Sequence, residues 1–230
     1  MSEFEANFVE PERVRRYVDQ GPSAFAPGHG GMLQMVAVLF AERVPDHGQV
    51  LVVGAGGGLE TRYLASVEIG WRFVGIDPAA PMLDLARAIA GAAAGDRLRL
   101  IKGTVRDAPA GLFDAATCIL VMGLVPDDGS KLDLLREVRR RLKPAAPFIL
   151  VDQCIDRSAP DFQLRLERYA EYARRSGVDL GTVASAKAAV EALESMVPAW
   201  RNEQLLAEAG FRDSEVFYVG MAWRGWVAYS

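Results

Sequence analysis

The feature that most constrains this chain is an abrupt change of character in the middle of its first half. Residues 49–53 (QVLVV) are apolar and rich in β-branched side chains, the run stops at Gly54-Ala55-Gly56-Gly57-Gly58, and helical spacing resumes over residues 59–66. The run suits a buried strand and the spacing after it suits a helix. The glycines between them allow a tight turn and a close approach of backbone to a ligand. That turn falls at the carboxyl end of a strand, where open α/β sheets bind ligands near the switch in strand order.

The alternation continues. Residues 71–76, 98–101, 115–121 and 148–151 read as strands, and residues 82–90 and 131–142 as helices, the second with Leu132, Leu135, Val138 and Leu142 on one face. A helix over residues 32–44, carrying Met32, Met35, Val36, Leu39 and Phe40 on one side, precedes the first strand. Continuously apolar strands alternating with helices predict a parallel sheet covered on both faces, and right-handed crossovers make it doubly wound.

After Asp161 the pattern changes. Phe162, Leu166, Tyr169 and Ala173 align in one helical stretch, and Val183, Ala186, Val190, Leu193 and Val197 in a second, with no strand between them. We read these as a helical insertion over the sheet that serves as a lid. A helix over residues 204–209 stops at Gly210, and SEVFYVG and MAWRGWVAYS follow as strands too closely spaced to pair other than antiparallel. The expected organisation is one domain over residues 1–230: leading helices 1–47, a cofactor-binding core 48–156, the lid 157–203, and a last helix with a β-hairpin 204–230.

Composition excludes several classes. Half the residues are apolar and 24% are charged, unlike a disordered, collagenous or disulfide-scaffolded chain. A net charge of −4 gives no general attraction to nucleic acid or anionic membranes. No apolar stretch approaches the roughly 20 residues of a membrane span, and residues 1–30 lack the apolar core of a signal peptide, so a cytoplasmic location is expected. Cys118 and Cys154 lie in strand-like runs and read as buried thiols. The two histidines, His29 and His47, are far apart and join no carboxylate cluster, so no metal is expected.

Spacing also speaks to the nucleotide. The dinucleotide pattern G-x-G-x-x-G needs a glycine at position 59 if it starts at Gly54, where the chain has Leu59, or at 61 if it starts at Gly56, where it has Thr61. Asp77 closes the second strand in GIDP, placed to accept hydrogen bonds from a ribose diol.

These residues resemble the class I S-adenosylmethionine-dependent methyltransferases. VLVVGAGGGLET is similar to their first motif, GIDPAAPMLDLAR to the second, GTVRDAPAGLFDAATCILV to the third and fourth, and LLREVRRRLKP to the helix before strand five. The closing hairpin resembles the reversed seventh strand of that Rossmann-like fold. The resemblance implies S-adenosyl-L-methionine as cofactor and S-adenosyl-L-homocysteine as product. Gly54, Ala55, Gly56 and Gly58 would line its methionine end, Asp77 would take the ribose hydroxyls, and Pro78 and Met82 would pack near adenine. Thr104 and Val105 fall where the family has an acidic residue followed by a backbone donor to adenine, so the amino contact is lost or passes to Asp107. Val121 and Met122 would face the reactive sulfonium.

Within that family the chain resembles the carboxy-S-adenosylmethionine synthase-like branch, which acts upstream of tRNA modification. The likeness covers APGHGGMLQMVAVLFAERV, the inserted helices and LLAEAGFRDSEVFYVGMAWRGWVA. Two identifying positions depart: His29 replaces a tyrosine, and Gln204 replaces the arginine that holds the extra carboxylate, with Arg201 a partial substitute. LKPAAP also replaces the usual LKPGG. The reading is therefore a methyltransferase using ordinary S-adenosylmethionine on a small-molecule acceptor. Its alternatives are a synthase-like or tRNA-modification enzyme and a cofactor-binding protein without turnover.

His29 is the candidate general base. Tyr17, Tyr169, Tyr172 and Trp200 are candidates for the acceptor pocket, Arg139-Arg140-Arg141 reads as a solvated face, and His47 as a loop residue. The family's Asn/Asp-Pro-Pro-aromatic signature for base amino groups is absent after strand four, where the chain reads MGLVP, so nucleic acid is not the expected acceptor. The resemblance also makes a homodimer an expectation.

Overall fold

Strand β1 (Gln49–Val53) is apolar at four successive positions because both of its faces are covered. Val50 and Val52 pack into one core with Met32, Phe40, Leu64 and Trp71, whereas Leu51 and Val53 pack into another with Leu135, Val138, Leu205 and Phe148. Alternate residues thus serve opposite faces, as the period of a strand requires. Burying each such large side chain contributes about 1.5–3 kcal/mol. The computed structural model describes Glu12 and residues 20–230; Tyr17, and with it most of the expected leading segment before residue 20, lies outside the described residues.

The remaining strands are β2 (Arg72–Asp77), β3 (Leu98–Lys102), β4 (Ala115–Ile119), β5 (Pro147–Gln153), β6 (Arg212–Gly220) and β7 (Trp223–Tyr229). They form one seven-stranded sheet in the order β3-β2-β1-β4-β5-β7-β6. Pairs among β1 to β5 are parallel, and β7 runs antiparallel to both β5 and β6. Only Met221 and Ala222 separate β6 from β7, too few for a crossover, and Met221 takes φ 56° to close the turn.

Helices α1 (His29–Ala41) and α2 (Leu59–Val67) cover the first face. Helix α3 (Ala80–Ala94) connects β2 to β3, and α4 (Ser130–Arg140) connects β4 to β5. The second face is covered by α4 and α7 (Ala199–Glu208). Between β5 and α7 lie α5 (Phe162–Arg175) and α6 (Leu180–Ala192), as the unbroken helical spacing predicts.

Several boundaries differ from the sequence reading for physical reasons. The fourth strand stops at Ile119 because Leu120 takes φ 62° and turns the chain into the short helical turn Met122–Leu124. Helix α1 begins at His29 behind Gly28, whose φ of 72° suits only glycine without strain. Helix α6 ends at Ala192, leaving Val197 in the following loop, because Leu193 adopts an extended backbone. The last helix starts at Ala199 after Pro198, which puts Gln204 within the helix rather than ahead of it.

The three arginines read as a solvated face also divide. Arg140 is exposed and pairs with Glu137, but Arg141 donates to the carbonyls of Ala108, Pro109 and Arg106, tying α4 to the loop after β3. Arg139 packs its guanidinium against Gly210, where an added Cβ would lie 3.2 Å from Cζ. Arg97, unremarkable in sequence, donates to the carbonyls of Glu68, Trp71, Ala65 and Ala93 and so gathers the carboxyl ends of α2 and α3.

Candidate functional site

The glycine turn leaves β1 at the point where neighbouring strands part: β2 and β3 lie to one side, β4 and β5 to the other. Gly54, Gly57 and Gly58 have φ of 70°, 76° and 66°, the left-handed region where a side chain is strained. The N–H groups of Gly54 and Ala55 both donate to the carbonyl of Ile76, at 2.8 and 3.0 Å, which fixes the turn to the end of β2. A Cβ on Gly54 would lie 2.2 Å from Val121 Cγ2, and one on Gly56 would lie 2.8 Å from Asp77 Oδ2 and 2.7 Å from Met82 Cε. A side chain at either position would have to displace Val121, or Met82 and Asp77, and at Gly54 it would also be strained by the left-handed backbone.

Asp77 is held from two directions. Gly56 N–H donates to its Oδ2 at 3.0 Å and Ala79 N–H to its Oδ1 at 2.9 Å. A carboxylate has about four lone-pair sites, so each oxygen keeps acceptor capacity for a further donor. Burial pushes the Asp77 carboxyl above its ordinary value, while the two backbone donors pull it down.

The structure thus brings Gly54, Ala55, Gly56, Gly58, Asp77, Pro78, Met82 and Val121 to one end of the sheet. Met82 is buried, and its side chain lies over Gly56. Thr104, Val105 and Met122 follow β3 and β4 at the same end, where the Gly103 N–H donates to the Asp77 carbonyl at 3.1 Å. Thr104 is exposed and forms a reciprocal cap with Asp107, whose Oδ2 accepts from the Thr104 N–H at 2.8 Å and hydroxyl at 3.1 Å; Val105 beside it is buried. Both bonds fall on Oδ2, and they hold the Asp107 carboxyl below the usual range. Met122 has no exposed surface and packs into the second core with Cys118 and Leu135, so its side chain does not face an open site.

His29 is buried at the first turn of α1, and burial alone holds its imidazole below the ordinary value. The segment before it is pinned to the same end of the sheet, because Tyr218 Oη donates to the Pro27 carbonyl at 2.6 Å and Trp223 Nε1 to the Phe25 carbonyl at 3.1 Å. Among the aromatic candidates, Tyr169 reaches a cleft near Trp223, whereas Trp200 is 62% exposed on α7. Gln204 is exposed. Arg201 places Nε and Nη2 on both oxygens of Asp127, at 2.8 and 3.0 Å, and so spends its fork on a carboxylate of the chain itself.

Two groups of buried polar residues escaped the sequence reading. The Thr117 hydroxyl on β4 donates to Glu60 at the start of α2, and burial pushes the Glu60 carboxyl up to about 7. At the ends of β4 and β5, Lys131 donates to the Met122 carbonyl and lies in the field of Asp152, whose carboxyl burial raises to about 6. Ser195 donates to the Gly123 carbonyl over this pair, bringing the loop after α6 against it. Asp152 interrupts an apolar strand in PFILVDQ, the one signal that could have revealed the group. Cys118 and Cys154 are buried and unpaired with each other, and burial pushes the Cys154 thiol up to about 12. Among the described residues no cluster of His, Cys, Asp or Glu has metal-binding geometry, and no helix is long and apolar enough to cross a membrane.

Comparison with known proteins locates this end of the sheet in a wider group. Residues 50–145, from β1 to the approach of β5, match the Methyltransf_25 family, described as a methyltransferase domain. The chain is similar to the carboxy-S-adenosyl-L-methionine synthase of Aliivibrio salmonicida, at 22% identity over 92% of this chain and 88% of that protein. It is also similar to the enzyme of the same name from Wolinella succinogenes, at 26% identity over 94% of this chain and 90% of that protein. Its fold matches that of human N-acetylserotonin methyltransferase in complex with SAM, at a TM-score of 0.67 and 16% identity. That match covers 100% of this chain but 59% of the human chain, so the chain spans about three fifths of the length of that structure.

Proposed function

We propose that the chain, whose fold is of the class I Rossmann-like type, is a methyltransferase that transfers a methyl group from S-adenosylmethionine to a small organic acceptor. The observation that carries the reading is Asp77, held by the Gly56 and Ala79 N–H groups beside a turn whose Gly54, Gly57 and Gly58 take the left-handed backbone that disfavours side chains. Two acceptor lone pairs directed from the end of β2 suit the vicinal hydroxyls of a ribose. The bare backbone of Gly54 to Gly58 suits the close approach of the amino-acid end, and Met82 and Pro78 offer apolar surface to a base.

When bound, S-adenosylmethionine supplies a methyl group on a sulfonium that is itself the leaving group, so the reaction is an in-line displacement. The chain's part is to position and to desolvate. Asp77 and the glycine turn fix the donor, Val121 forms the wall at the end of β4, and the segments over residues 157–203 exclude water and hold the acceptor at roughly 3–3.5 Å in line. His29, kept neutral by burial, is equipped to take the proton that an oxygen or nitrogen acceptor releases. No step requires a metal.

A second reading has a specific basis, since the curated relatives are carboxy-S-adenosyl-L-methionine synthases matched over most of their length. The bidentate Arg201–Asp127 pair and the neutral, exposed Gln204 favour the ordinary cofactor, because neither leaves a cation for an additional carboxylate. Thermal shift with S-adenosylmethionine, S-adenosylhomocysteine, the carboxylated analogue and NAD decides between them. A ligand at 100 times its Kd adds about 2.7 kcal/mol. Stabilisation by the first two is expected; a larger response to the carboxylated analogue favours the synthase reading, and a response to NAD alone refutes both.

A further inference from the structure

A cleft of about 390 Å³ opens between α5 and the turn joining β6 to β7, and three arginines share its wall with three aromatic side chains. We propose that it is the methyl-acceptor subsite of the reaction proposed above, and that the acceptor is a flat aromatic acid. Its ring lies against Phe25, Tyr169 and Trp223, and its carboxylate is held by Arg168 and Arg224.

The cleft is within the size range of small-molecule sites, and it lies at the correct end of the fold. Trp223 and Arg224 pair in register with Gln153 and Asp152, the last residues of β5. The glycine turn closes β1 at the same edge, two strands beyond β5 as counted from β7 in the sheet order. With neighbouring strands about 4.8 Å apart, the cleft starts two strands, roughly 10 Å, from the end of β4, where Val121 walls the methyl donor, and the nucleoside extends away from it toward Asp77 on β2.

Its walls are built rather than incidental. The Phe25 and Tyr169 rings stand 5.0 Å apart at 31°, and the Trp223 indole is locked by its bond to the Phe25 carbonyl. Met221 at the rim takes φ 56°, a strained conformation for a side chain as large as methionine.

The charges differ among themselves. Arg165 turns Nε to both oxygens of Asp161 and is neutralised there. Arg224 donates through Nη1 to the carbonyls of Met221 and Trp223, which orients its guanidinium without cancelling its charge. Among the described residues no carboxylate forms an ion pair with Arg168 or Arg224. Arg168 lies in the field of Asp161 without pairing with it, and two guanidinium groups free of ion pairs with described residues, beside aromatic faces, match the two parts of an aromatic acid.

The test is calorimetric titration of the full chain, saturated with S-adenosylhomocysteine, using 4-hydroxybenzoate, phenol and inorganic phosphate as probes. We expect 4-hydroxybenzoate to bind at least tenfold more tightly than either phenol or phosphate. In Arg168→Ala that preference should fall about tenfold while affinity for S-adenosylhomocysteine is unchanged. Arg168 is exposed and makes no hydrogen bond among the described residues, so this variant reports on binding rather than folding. Equal affinity for acid and phenol, equal affinity for acid and phosphate, or indifference to Arg168→Ala overturns the proposal. Failure of the unaltered chain to bind S-adenosylhomocysteine refutes the proposed function instead, and the same titration without it then judges the cleft alone.

Discussion

Gly58→Ala isolates what the glycine turn demands. A Cβ at this position lies 2.9 Å from both Cα and the carbonyl oxygen of Ala86, backbone atoms of α3 that cannot rotate away, and φ is 66°. The left-handed conformation costs an alanine about 1–2 kcal/mol. Forcing α3 to retreat costs a further 1–3 kcal/mol or so, as overpacking generally does. The expected loss is about 3 kcal/mol, equivalent to a fall in Tm of roughly 6–12 °C for a chain of this length. Because α3 carries Met82 against Gly56, S-adenosylhomocysteine affinity should fall with it. Gly91→Ala is the control: it lies in the same helix, nothing stands within 4 Å of its Cβ position, and alanine there should add about 0.8–1 kcal/mol. Urea unfolding followed by circular dichroism measures both. A Gly58→Ala chain within 0.5 kcal/mol of the parent would refute the packing argument.

Asp77→Ala removes the acceptor assigned to the ribose and should weaken S-adenosylhomocysteine binding roughly 10- to 150-fold by calorimetry, whereas unchanged affinity would displace the assigned site. Glu60 titrates at about 7 in the folded chain against an ordinary 4.5, so the folded state binds its proton more tightly than the unfolded state and stability declines as pH rises from about 4.5 through 7. Glu60→Gln should flatten that decline, which amounts to about 3 kcal/mol, in unfolding curves taken across the same window. Ala145 adopts φ 59° at an exposed position in LKPAAP, and Ala145→Gly should raise stability by about 0.5–1 kcal/mol; a lower Tm would contradict the strain argument.

Much of the sheet was legible because β1, β4 and β5 are apolar on both faces, and helices follow β1, β2 and β4. Leu51 and Val52 announce burial whatever surrounds them. The reversed strand was legible because two residues cannot bridge a parallel pair. What escaped were features decided by single torsions or by distant partners. Leu120 at φ 62° shortens β4 by two residues, and nothing in a leucine signals that conformation. Arg97, Arg141 and Arg201 look like surface charge in sequence, yet each donates to at least one partner 26 or more residues away. At the candidate site, Asp77 and the glycines were readable from type and spacing. The exposed Thr104–Asp107 cap, the enclosed Met122 and the buried Lys131–Asp152 pair depend on packing between β3, β4 and β5 that local pattern does not encode.

The position of β7 has a consequence for how the molecule is made. Gln153 at the end of β5 pairs with Trp223, some 70 residues later, and β6 reaches the sheet only through β7. On a ribosome adding roughly 5–20 residues per second, the outer edge of β5 therefore waits about 4–14 s for its partner. Throughout that interval PFILVDQ presents an open row of backbone donors and acceptors, flanked by apolar side chains, to any other nascent strand. Newly synthesised chains should accordingly be most prone to aggregate just before the β6–β7 hairpin emerges, and to lose that tendency once residues 212–229 have paired.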